Sequence, residues 1–129
     1  MKSKQLIRFY FSAGNINKAL DNLILDKALK SANYPGSCEY FAERILLLID
    51  AKKELSELWS YLDNVISSFT QRERSVLKYY GLLRTGVSKL NCARKKEIKR
   101  VTVKFTRRAY LVGRYVEGVR LVKEYYCLM

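Results

Sequence analysis

Apolar residues recur along this chain at spacings of three and four, the rhythm of helices that bury one face. Leu6, Ile7, Phe9, Tyr10 and Phe11 predict a short first helix ending near Gly14. Asn15 reads as the N-cap of a second helix, its side-chain oxygen able to accept a bond from a free amide of the next turn. That helix carries Ile16, Leu20, Leu23, Ile24 and Ala28 on one face and stops before Asn33-Tyr34-Pro35-Gly36-Ser37, the strongest break in the chain. A long helix is expected from Cys38 to Phe69, with Phe41, Ile45, Leu48, Leu55, Leu62 and Phe69 on one side and Trp59 and Ile66 widening the stripe. From Leu48 onward the stripe repeats every seven residues, the seam of a coiled coil. Such a seam serves a homodimer through residues 38–69 or a hairpin within the chain. Lys52 on the seam and a repeat of only three heptads favour the hairpin.

Thr70-Gln71-Arg72-Glu73 fits a capping box, in which threonine oxygen and glutamate carboxylate each take a backbone amide of the other's residue. A helix therefore starts here, buries Val76, Leu77 and Tyr80, and is expected to end at Gly81 in the left-handed conformation. Gly86-Val87-Ser88 reads as a turn, with Ser88 as an N-cap. From about Ala93 to Tyr126 a single helix of about 34 residues and about 50 Å is expected. Its apolar side is Ile98, Val101, Phe105, Ala109, Val112, Val116, Val119 and Tyr126, opposite Lys96, Lys99, Arg100, Val103, Arg107, Tyr110 and Arg114. Gly113 and Gly118 permit a bend in it.

Composition sharpens this picture. One Pro and six Gly in 129 residues leave too few turn residues for an all-β fold. With 49% apolar residues the chain can bury a core, so the expected fold is an all-α helical bundle with a long central helix and a long basic C-terminal helix. Charge then divides the chain in two. Residues 1–69 hold nine Lys/Arg and eight Asp/Glu, whereas residues 70–129 hold sixteen and four, net +1 and +12. The expected organisation is a neutral helical scaffold over 1–69, with a possible dimerisation role, followed by a basic binding region over 70–129.

Candidate chemistry narrows the function. The chain has no histidine, no Gly-rich phosphate loop and no zinc-spaced cysteines, and its carboxylates do not group as metal ligands. No catalytic constellation is found, so a non-enzymatic protein without cofactor or metal is expected. Cys38, Cys92 and Cys127 stand apart, as in a reducing compartment. No apolar run reaches the length of a membrane span and the N-terminal apolar run is broken by Arg8, so a cytoplasmic protein is expected.

The positive signal is the stretch Lys89 to Arg108, nine cations against the single acid Glu97. Like charges at helical neighbour positions weaken a helix by a few tenths of a kcal/mol each, so such a run is expected to meet a polyanion. Nucleic acid is the expected partner, DNA before RNA. The contact residues are expected to be Lys95, Lys96, Lys99, Arg100, Thr102, Lys104, Arg107, Arg108 and Arg114, with cations for phosphate and a threonine hydroxyl for phosphate or base edge. Engagement of about six to nine cations implies that log K falls against log salt with a slope of roughly −5 to −8.

The run Phe69-Thr70-Gln71-Arg72-Glu73-Arg74-Ser75-Val76-Leu77-Lys78-Tyr79-Tyr80-Gly81 resembles the opening helix of the fourth, promoter-reading region of bacterial sigma factors. With the preceding helix, the arrangement is similar to small phage late-transcription activators of the ArpU and RinA type, over residues 40–109. The resemblance implies a divergent helix-turn-helix whose recognition helix contains Val101 to Ala109, and a DNA-binding, phage-type or prokaryotic transcription regulator. The alternative is a small phage-borne protein that binds a host nucleoprotein machine, such as RNA polymerase or a nuclease of the CRISPR-effector kind, or a helical RNA-binding protein. The chain departs from the family in that Gly86-Val87-Ser88 follows Gly81 too closely for a helix between them, and its basic helix runs on past the usual end of such domains.

Overall fold

A computed structural model describes residues 2–33, 36, 38–83, 90–112 and 115–128. Among them are five helices and no strand: α1 (Lys2–Asn33), α2 (Cys38–Ser67), α3 (Gln71–Leu82), α4 (Cys92–Val112) and α5 (Tyr115–Leu128). The all-α bundle expected from the sequence is the fold.

α1 and α2 form an antiparallel hairpin. Its register is set by Tyr10 Oη donating to Asp63 Oδ1 at 2.6 Å and by Lys52 Nζ reaching Asp21 Oδ1 at 2.6 Å, so numbers rise on one helix as they fall on the other. Trp59 Nε1 donates to the Tyr10 carbonyl at 3.1 Å, and the two rings stack with centroids 5.3 Å apart. Lys52 thus lies on the seam because Asp21 meets it there. The seam residues Leu48, Leu55, Leu62 and Phe69 are buried within the chain.

α1 is one helix, not two. Gly14 costs a helix interior about 1 kcal/mol relative to alanine. The buried residues Leu6, Phe9, Ile16 and Leu20 keep one helical phase across it, however, so both halves pack on the same neighbours and the break is not made. Asn15 is accordingly a helix-interior residue rather than a cap.

α3 begins with the expected capping box. Thr70 Oγ1 accepts from the Glu73 amide at 3.2 Å, and Glu73 Oε1 accepts from the Thr70 amide at 2.9 Å. The end differs: Gly81 is helical and buried, and Leu83, in extended conformation, closes the helix. A Cβ on Gly81 would lie 2.8 Å from Ile7 Cγ2 and 3.2 Å from the Arg8 amide nitrogen. Glycine is required there by the close approach of α1, not by a left-handed cap.

α4 buries Ile98, Val101, Phe105 and Ala109, as the stripe predicted. The single long helix does not continue from it. The buried positions of α5 are Tyr115, Gly118, Val119 and Val122, while Val116 is 72% exposed. At about 100° per residue that is a slip of roughly a quarter turn relative to α4. Ser3 Oγ is hydrogen-bonded to both Thr106 Oγ1 (2.7 Å) and Tyr115 Oη (2.6 Å). Residues nine apart point to opposite sides of a continuous helix, so one hydroxyl could not reach both. The slip lets Gly118 close on Leu58 and Leu6 of the hairpin.

One hydrophobic cluster takes residues from all five helices, so scaffold and basic region share a single core.

Candidate nucleic-acid interface

The site is built on α4. Asn91 caps it, its Oδ1 accepting from the Arg94 amide at 2.8 Å and its carbonyl from the Lys95 amide at 3.0 Å. Ser88, the expected cap, lies outside the described residues. With Phe105 fully buried, the side of α4 turned away from the core is fixed by helical phase. It carries Lys96, Lys99, Arg100, Val103 and Arg107, all within about 60° of the pole opposite Phe105. These side chains line one shallow open groove about 17 Å long, at 1.5 Å per residue.

The cations of this region fall into two sets. Lys96, Lys99, Arg100 and Arg107 are exposed, and none has an ion-pair partner among the described residues. Lys95 is half-buried beside them. Lys104 and Arg108 edge the same groove but are engaged elsewhere. Lys104 Nζ lies 2.9 Å from both carboxylate oxygens of Glu73 and 4.8 Å from the centre of the Phe69 ring. Arg108 also lies over that ring, 5.3 Å from its centre, and donates to Ser68 Oγ. These two cations hold α4 to the α2–α3 junction.

Thr102 does not belong to the exposed face. It is 8% exposed and turned toward the core, where its carbonyl accepts from Thr106 Oγ1 at 2.9 Å. Its position between Val101 and Phe105 puts it on the buried side of the helix, so it is unavailable to a ligand. Thr106 is likewise held by Ser3 and the Thr102 carbonyl. Arg114 and Lys89 lie outside the described residues.

The acids nearest the groove are occupied. Glu97 is paired with Arg72 at 2.9 Å, and Glu73 with Lys104. The Glu73 carboxyl is held down to about 2, first by the Thr70 amide that donates to it and then by Lys104. Sequence reading missed this use of Glu73 and of Phe69, although both stand in the capping-box run. It also missed Arg94, which lies over the Tyr79 ring at 5.0 Å. The Tyr79–Arg94 and Glu73–Lys104 pairs run in opposite senses along their helices, so α3 and α4 are antiparallel. The segment between them is longer than the three- or four-residue turn of a helix-turn-helix. Of residues 82–96, where a separate positioning helix would fall, Leu82 ends α3 and residues 92–96 open α4, while 84–89 lie outside the described residues.

Among the described residues, no group of His, Cys, Asp and Glu could hold a metal ion, and no helix is long and apolar enough to cross a membrane. No family model matches the chain, and neither the curated proteins nor the solved structures give a match.

Proposed function

We propose that this chain is a non-enzymatic DNA-binding protein that lays the outer face of α4 along the phosphate backbone, and that it acts as a phage-type or prokaryotic transcription regulator. The observation that carries the reading is the set Lys96, Lys99, Arg100 and Arg107, exposed on one helix face while the neighbouring acids Glu73 and Glu97 are paired with other cations. A helix is about 10–12 Å across, which matches the roughly 12 Å major groove of B-DNA. Val103 at the middle of the face is then available to a thymine methyl. Transcription is supported by the likeness of residues 69–81 to a sigma-factor helix.

A second reading has its own observation. Tyr110 and Leu111, 55% and 86% exposed, extend the far end of the basic face with apolar surface. That favours a partner presenting protein beside nucleic acid, such as RNA polymerase or a nuclease on its bound strand. Gel-shift titration with duplex DNA of varied sequence, and with RNA, separates the two. Sequence-dependent retention of duplex at physiological salt supports the regulator. Weak, uniform retention favours the nucleoprotein partner, and no retention removes α4 from the mechanism.

A further inference from the structure

The α1–α2 hairpin has one side that none of the described residues covers. The Asp21–Lys52 and Tyr10–Asp63 pairs fix which residues of each helix face the other. At about 100° per residue, Leu25 and Leu29 of α1 then fall on the same side of the hairpin as Leu46 and Ile49 of α2. All four are exposed, at 58%, 57%, 61% and 46%. Further down that side is a cleft of about 450 Å³ whose lining includes Phe11, Gly14, Asn17, Ser56, Trp59 and Ser60. Gly14 opens onto it, and a Cβ there would meet nothing within 4 Å. α5 packs on the other side, where Gly118 meets Leu58, and α3 meets α1 at Ile7 and Arg8.

We infer that this side is the interface of a homodimer, in which two hairpins pack face to face as a four-helix bundle. Three features point to a second copy as the occupant. The first is shape. The face carries leucine knobs at one end and, at the other, a cleft that sets Phe11 and Trp59 among Asn17, Ser56 and Ser60, with Leu29 and Gly14 about 22 Å apart along α1. A two-fold axis crossing the hairpin near Asp21 and Lys52 brings each copy's Leu29 toward the other's cleft, the reciprocal contact that such symmetry demands. The second is charge. Residues 1–69 are net +1 in a chain of net +13, so this is where two copies can meet without facing their basic halves. The third is area. From Phe11 to Leu29 the face is about 27 Å long and about two helix diameters wide, which gives about 1,000 Å² over two copies. That reaches the size expected of a specific interface. Lys18 and Lys53, both exposed, fall mid-face by the same helical phase. Screening them favours association, so the dimer tightens with salt.

Sedimentation velocity on the full chain at about 100 µM, where even a micromolar interface is populated, tests this. The expected result is twice the 15.1 kDa chain mass, more completely at high salt than at low. Gly14→Leu puts a side chain into the cleft in a place free of neighbours and suits a helix, so it should fold and, by obstructing the second copy, run as a monomer. Leu25→Lys with Leu46→Lys, both at exposed positions, should do the same, with circular dichroism confirming that helix content is kept. A monomeric wild type, a dimer that neither variant weakens, or a dimer that salt dissolves would each overturn the assignment. None of these outcomes depends on nucleic acid, so the proposed DNA binding stands or falls separately.

Discussion

Replacing single cations of α4 should separate those that meet phosphate from those that hold the fold. Four on its outer face are exposed and have no ion-pair partner among the described residues, so duplex binding should release about four counterions. The slope of log K against log salt should then be about −3.6, shallower than the basic run as a whole implies. Between about 50 and 200 mM salt the affinity should fall about 150-fold. Arg100→Gln removes one contact, so the slope should drop to about −2.7 and the same salt step should cost about 40-fold. Lys104→Gln should leave the slope unchanged, because that ammonium is already spent on Glu73 and Phe69. It should instead lower the denaturation midpoint. Fluorescence anisotropy with a labelled duplex over a salt series, run beside urea melts, reads both quantities. Equal loss of slope in the two variants, or a wild-type slope near zero, would refute the division of the cations.

Two further outcomes follow from the packing of α3. Gly81→Ala forces a methyl against Ile7 and the Arg8 backbone, which outweighs the helix propensity gained; a loss of about 1–2 kcal/mol is expected in urea denaturation. Glu73 has its pKa lowered from 4.5 to about 2, so its contribution to stability is complete above pH 4.5 and is lost as pH falls toward 2. Glu73→Gln should therefore flatten the acid limb of a stability-against-pH curve, and an unchanged limb would show that the carboxylate is not held by the fold.

What could be read in the sequence depended on how far apart the deciding groups lie. The capping box was legible because its two partners, Thr70 and Glu73, sit within one turn. The buried stripe of α4 was legible because Ile98, Val101, Phe105 and Ala109 repeat locally. The glycines were not, because a glycine's role is set by what lies opposite it: open space at Gly14, Ile7 at Gly81. Val116 fitted the apolar stripe, and only the docking of Gly118 on Leu58 turns it outward. Within the basic run, one residue type serves two purposes. Lys104 and Arg107 are equivalent cations on paper, and the difference between them is made by Glu73, which follows an earlier turn of chain.

The opening turns of α1 have a consequence for how this molecule is assembled and taken apart. Leu6, Ile7 and Phe9 are almost wholly enclosed, and the Ser3 hydroxyl sits between partners more than a hundred positions downstream on α4 and α5. During synthesis the part of this segment that α4 and α5 cover must therefore stay open until α5 has left the ribosome. The same closure means that cutting the chain at residue 70 would yield two aggregation-prone fragments rather than a head and a DNA-binding tail.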